Sequence, residues 1–589
     1  MSRNPRLIST RILLFAVVLG AFDSVRGDAA DELQTLFQEE WQTRLSEDPL
    51  QATLLGVHTH DRRMPSMTMF DLERRHEADQ NWLERLHGIE RQDLSAQDQV
   101  SYDLFEYQLE SRIKGFEFGD YRLPFTSDSG FFTSVLRAFE QMPLASVEDF
   151  DIYLERLSLL PRYFAEQIVL MTQGIREGHT MPAVVLPGVM KTVSGMLVDT
   201  PTRSPFFKHV ERSLTKFPER EGESVRARAL EAVEAYVMPS YTSLADFLQT
   251  SYLPAARTTL AARALPNGSR YYEYLVRYFT TQNMTPSEVH EIGLSEVERI
   301  RAEMDAVLKS LEFEGDFSDF LKYLRTEPKF YPKTGEELLR EAAWIAKRID
   351  GILPQYFTRL PRMPYGVSPV PEHLAPNYTT GRYSPGVPGG SRGGYYWVNT
   401  YALEKRPFYA LPALTLHEAV PGHHLQIALA QELEGMPEFR RHLYINAFGE
   451  GWALYAEKLG KEMGVYRDAY EEFGRLTYEM WRAGRLVVDT GIHYLGWTRE
   501  QAVALFVENS ALSRHNIETE VDRYISWPGQ ALSYKMGELT IVRLRKEAEK
   551  ALGPAFDVRQ FHDVVLQSGG VTMSILDAQV REMVVAASR

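Results

Sequence analysis

The chain has 589 residues, 44% hydrophobic and 25% charged, an ordinary globular balance with enough apolar material for a large core. Its net charge of −15 argues against nucleic acid and anionic membrane surfaces as partners. With no cysteine, it can form no disulfide, thiolate nucleophile, cysteine-ligated zinc site or lipid-modified N-terminal cysteine.

Residues 1–27 read as a secretory leader. Arg3, Arg6 and Arg11 give a positive start, and Ile12 to Phe22 is an apolar run, shorter than the roughly 20 residues that span a bilayer. Val25-Arg26-Gly27 offers a cleavage point. Asp28 is then the expected mature start, and the product is exported, to a periplasm or beyond, without membrane attachment after leader removal. Residues 28–589 are expected to form one mainly α-helical domain with room for two lobes. The metal site is expected within 395–540.

Asp31 to Ser46, Met69 to Ile89 and Val147 to Glu177 repeat apolar residues at spacings of three and four, as amphipathic helices do. Thr285-Pro286-Ser287-Glu288 is a helix start: an N-cap, a proline at the first helical position and a glutamate three residues after the cap. Its helix is expected to reach about Leu311. Glu336 to Ile352 reads as another. No repeat period of 20–50 residues is present.

Pro354 to Gly394 is rich in Pro, Gly, Tyr and Ser and reads as irregular. It ends in Gly389-Gly390-Ser391-Arg392-Gly393-Gly394, a surface loop or a substrate-facing one. Tyr395 to Asn399 follows as a short strand. Its edge is expected to pair with an extended peptide, which makes Tyr396 a candidate substrate contact.

The strongest chemical signal is His417-Glu418-Ala419-Val420-Pro421-Gly422-His423-His424. Neutral imidazoles and carboxylates are zinc ligands, and catalytic zinc keeps one position open. Zinc peptidases commonly place two histidines one helical turn apart, with a glutamate after the first as general base. Here His423 and His424 lie six and seven residues after His417. On an unbroken helix His423 would point off to the side, and His424 would lie about 10 Å further along the axis. A bulge at Val420-Pro421-Gly422 would return His423 to the one-turn position. His417 and His423 are therefore the preferred ligands, with His424 the alternative ligand or a substrate contact. Glu418 is placed to take a proton from attacking water and pass it to a leaving amine.

Glu450 is the preferred third ligand, in the segment Phe448-Gly449-Glu450-Gly451-Trp452-Ala453-Leu454-Tyr455-Ala456-Glu457. Glu457, two turns on, would orient a ligand histidine from behind. Asp489 and His493, four residues apart, are a candidate supporting pair. Further on, Tyr534 and then Tyr524 are candidate donors to a tetrahedral oxyanion, and Arg523 is a candidate for holding a substrate carboxylate.

Three of these segments carry a resemblance. His417 to His424, Glu450 to Glu457 and Pro528-Gly529-Gln530-Ala531-Leu532-Ser533-Tyr534-Lys535 resemble a bacterial family known only as domain of unknown function 885, over most of the mature chain. That family is in turn distantly similar to helical zinc peptidases such as thimet oligopeptidase and the Taq-type carboxypeptidases. In those, His-Glu-x-Gly-His supplies two ligands and the base, a glutamate on the next helix is the third ligand, and downstream tyrosines assist. The resemblance aligns Gly422-His423 with their Gly-His and Glu450 with their ligand glutamate. It implies a helical body with a deep cleft and a small sheet beside the metal-binding helix. The chain departs from their pattern by two extra residues between Glu418 and His423. The expectation is an exported peptidase with one Zn2+ per chain acting on short peptides. A metal amidohydrolase of non-peptide amides, or a peptide-binding scaffold with a degenerate metal site, are the alternatives.

Overall fold

The computed structural model describes residues 10–372, 375, 378–387 and 392–588, with side chains from Asp28 onward. The leader reading at 1–27 and the glycine run at 389–391 therefore lie outside the described residues or side chains.

The described chain is mainly α-helical with one small sheet. The periodic segments form helices Thr10–Glu47, Met69–His87 and Gly335–Asp350. The segment from Val147 to Glu177 forms two helices, Val147–Ser158 and Leu160–Glu177. Pro161 is in the first turn of the second, where its missing N–H costs nothing; inside a continuous helix it would break a hydrogen bond. Helix α1 (Pro286–Ser310) begins as expected: Thr285 Oγ1 accepts from Glu288 N, and Glu288 Oε2 accepts from Thr285 N at 2.8 Å.

The segment from Pro354 to Gly394, expected to be irregular, contains two strands. β1 (Tyr365–Pro369), β2 (Gly381–Ser384) and β3 (Gly394–Val398) form one sheet in the order β1-β3-β2. β3 runs parallel to β1 and antiparallel to β2, with Tyr396 opposite both Val367 and Tyr383. The strand expected to offer a free edge is thus the central one, with both edges already paired. The open edges belong to β1 and β2.

The site-bearing helices come from the C-terminal part of the chain. They are α2 (Leu411–Glu418), α3 (His423–Gln431), α4 (Asn446–Glu462), α5 (Ala469–Thr490), α6 (Arg514–Ser526) and α7 (Ser533–Leu552). α5 packs along α1, and α4 packs along α7. The second pair is in backbone contact: a Cβ on Gly537 would lie 1.9 Å from Ala447 O, and one on Gly451 would lie 2.6 Å from Gly537. This close crossing brings the start of α7, with Tyr534, alongside Glu450 on α4. A hydrophobic cluster running from Leu33 to Val580 surrounds the assembly.

Candidate metal centre

α2 is buried along its whole length and ends on His417 and Glu418. The helical path stops at Ala419 (φ −97°, ψ −105°) and Gly422 (φ −74°, ψ −130°), and α3 starts afresh at His423. Gly422 lies so close to α2 that a Cβ there would sit 2.0 Å from His417 O and 2.4 Å from Leu416 O. The Trp452 indole N–H donates to Pro421 O at 2.8 Å, pinning the break to α4. The interruption turns His423 back toward His417. Their rings lie 4.8 Å apart and nearly perpendicular, at 89°.

Glu450 completes the group. Its Oε2 is 3.5 Å from His417 Nε2 and 3.4 Å from His423 Nε2, and the ligand atoms of all three lie within 4.8 Å of one another. Tetrahedral zinc with bonds of about 2.0–2.1 Å sets its donors about 3.3 Å apart. Two nitrogens and one carboxylate oxygen at these spacings fit a zinc ion with one position left for water or substrate.

The surroundings fit the same ion. His417 Nδ1 meets Glu457 Oε1 at 2.8 Å, which directs Nε2 into the site; Arg482 is 3.2 Å from the same oxygen. Burial alone would lower the His417 pKa, but Glu450 and Glu457 more than offset it and push it up to about 10. Burial would raise Glu450, yet His423 and His417 hold it well below the usual carboxylate range.

Glu418 is buried and its Oε2 accepts the Tyr383 backbone N–H at 2.7 Å. The carboxylate is thereby fixed to β2. Among the described residues no donor bonds to its Oε1.

The other candidates divide. His424 faces the sheet: its Nδ1 meets the Tyr383 hydroxyl at 2.9 Å and its ring lies 4.5 Å from Tyr365. It is outside the ligand group because consecutive residues of α3 point about 100° apart. Burial lowers its pKa to about 4. Tyr396 is fully buried beneath α2, 3.5 Å from Thr415 Oγ1, and so is not a substrate contact. On the central strand its face is the packed one.

Tyr524 is also buried. Its hydroxyl accepts from Trp481 and Arg485 and donates to Glu520, which leaves nothing to offer an oxyanion. Tyr534 lies beside Arg523, whose guanidinium is 3.4 Å from its hydroxyl and 2.5 Å from Gln530 Oε1. Asp489 and His493 support the fold and not the ligands. Asp489 accepts from Tyr272 and from Gly529 N, whereas His493 bonds Ala262 N and Tyr524 O.

Three contributors carry no sequence signal of this kind. The Tyr444 hydroxyl donates to Glu450 Oε1 at 3.1 Å. It precedes the start of α4, so helical spacing could not link it to Glu450. Tyr383 joins Glu418 to His424 from a strand that the composition hides. Arg482 reaches Glu457 from α5 through tertiary packing alone.

With this geometry in view, the family model for bacterial proteins of unknown function (DUF885) matches residues 49–580. The chain belongs to that family. A crystal structure described as that of a candidate lipoprotein from Colwellia psychrerythraea is 29% identical, with a TM-score of 0.89 over 95% of this chain and 99% of that one. A second solved structure, described as that of a candidate lipoprotein of unknown function from Shewanella oneidensis, is 19% identical, with a TM-score of 0.71 over 93% of this chain and 99% of that one; at that identity the likeness concerns the fold alone. No curated protein matches the chain.

Proposed function

We propose that this protein is an exported zinc-dependent metallopeptidase acting on short peptides. The observation that carries the reading is the convergence of His417, His423 and Glu450 within 4.8 Å, with the buried carboxylate of Glu418 directly after the first ligand. When bound, zinc would polarise the scissile carbonyl and make water more acidic. The remaining work falls to side chains of this chain. Glu457 holds His417 in the tautomer that presents Nε2. Tyr444 holds the Glu450 carboxylate by its second oxygen. Glu418, anchored through Oε2, uses Oε1 to take a proton from the attacking water and deliver it to the leaving amine. Tyr534, beside Arg523, would donate to the oxyanion.

Export rests on the leader-like N-terminus and on the description of the Colwellia psychrerythraea relative as a candidate lipoprotein. A lipid anchor through cysteine does not carry over, because this sequence has none. No helix among the described residues is long and apolar enough to cross a membrane. With its leader removed, the protein would then work in the periplasm or outside the cell.

The test pairs metal content with turnover. Purified protein is expected to hold one zinc per chain by mass spectrometry and to cleave a pooled peptide library. Glu418→Ala is expected to keep the zinc and lose about 10²–10⁴-fold in rate. A zinc-loaded wild type that leaves the library intact would sink the peptidase reading; an undiminished Glu418→Ala would remove Glu418 as the base.

A further inference from the structure

Three arginines gather near Glu418 in this acidic chain. Arg382 is the β2 residue next to Tyr383, whose N–H holds Glu418. Its side chain leaves the strand on the opposite face from that of Tyr383, is exposed, and stacks 5.4 Å from the centre of the Tyr378 ring. Arg523 is close enough to Arg382 to oppose its charge, and Glu418 close enough to favour it. Arg137, exposed on helix Phe131–Gln141, is close enough to Arg382 to oppose its charge. Ser127 N donates to Ser526 Oγ at 2.9 Å, which ties the turn before that helix to the end of α6, near Arg523.

The two exposed guanidiniums make no direct ion pair. Among the described residues, neither Arg137 nor Arg382 has a carboxylate within 4.0 Å. Arg523 shares Glu520 with Arg485, so that group keeps a net positive charge. Opposed arginines without acids repel one another and gain by binding an anion between them. The planar fork of arginine matches a carboxylate in two-point geometry.

We propose that Arg382 and Arg137, backed by Arg523, form a carboxylate subsite beside Glu418, so that the preferred substrate presents a carboxylate next to the bond to be cut. The inference rests on the peptidase reading above and names the substrate class for that site. Two sources share this chemistry: the free C-terminus of a peptide, which makes the enzyme a carboxypeptidase, and an Asp or Glu side chain.

The test separates binding from turnover. Fluorescently labelled pentapeptides are titrated against zinc-loaded Glu418→Ala protein by anisotropy. One set carries a free or an amidated C-terminus; another carries Asp and Glu or Asn and Gln at the last two positions. The free acid is expected to bind at least 10-fold more tightly than its amidated or uncharged counterpart, and the set that shows the difference identifies the source. Adding Arg382→Ala is expected to abolish that difference, and Arg137→Ala to reduce it, with zinc content and binding of the uncharged peptides unchanged. Equal binding of charged and uncharged peptides, or a difference that survives Arg382→Ala, overturns the subsite. Failure of the wild type to cleave any of these peptides counts instead against peptidase activity and leaves the carboxylate dependence of binding to be read independently.

Discussion

A histidine can offer Nε2 to a metal reliably only when its ring is held from behind, and for His417 the holder is Glu457, at 2.8 Å and 1% exposed. Glu457→Ala is expected to lower zinc affinity about 10–100-fold, as loss of such outer support usually does. Competition with a chromogenic chelator would measure it, and unchanged affinity would mean that packing alone orients the ring. This role was legible in the sequence, because Glu450 and Glu457 are seven residues apart and share a helical face. Tyr444 and Arg482 were not legible. Their contacts depend on where a preceding turn and a neighbouring helix place them, and no local period encodes that. Tyr524 misled for a related reason: a tyrosine near the motif looks like a donor until Glu520, Arg485 and Trp481 are seen to use its hydroxyl.

At the level of elements, the break between α2 and α3 makes the site. Proline followed by glycine announced an interruption, and the spacing of the histidines required one. The position of Gly422 against His417 O makes the break sensitive to a single methyl group. Gly422→Ala would press its Cβ to 2.0 Å from that backbone oxygen, so the break must open and carry His423 away from His417. Zinc content well below one per chain is expected, with a stability loss of about 1–3 kcal/mol in urea denaturation. A variant that still holds full zinc would show that the break tolerates a different path. The sheet was less legible than the break. β1 and β2 are four or five residues long and lie among prolines and glycines, and their common partner β3 follows only later in the chain. Strand order is a non-local property, so the segment from Tyr395 could be recognised as a strand without revealing that it is the middle one.

Across the whole molecule, buried charge joins the helices that carry the site to those that do not. Lys535 on α7 is fully buried and lies 2.9 Å from Glu479 on α5, 3.0 Å from Glu296 on α1 and 2.8 Å from Glu538 on its own helix. Arg475 and Arg299 also reach Glu479. Burial would raise the Glu479 pKa, but Lys535, Arg475 and Arg299 hold it well below the usual carboxylate range. A depressed carboxylate contributes stability that is present above its unfolded value, near 4.3, and is lost as pH falls through the folded value. Lys535→Met keeps most of the stem's packing and removes one cation from two buried acids, Glu479 and Glu538, and the half-buried Glu296. It is expected to cost about 3–5 kcal/mol at pH 7, the usual scale for leaving buried charge uncompensated. Because the acids then take up protons more readily than in the wild type, the gap should narrow as pH falls from 7 toward 5. Urea midpoints across that range give the answer. A gap that is large at pH 7 and constant with pH would assign the loss to packing, and the network would then not be what holds α1, α5 and α7 together around the site.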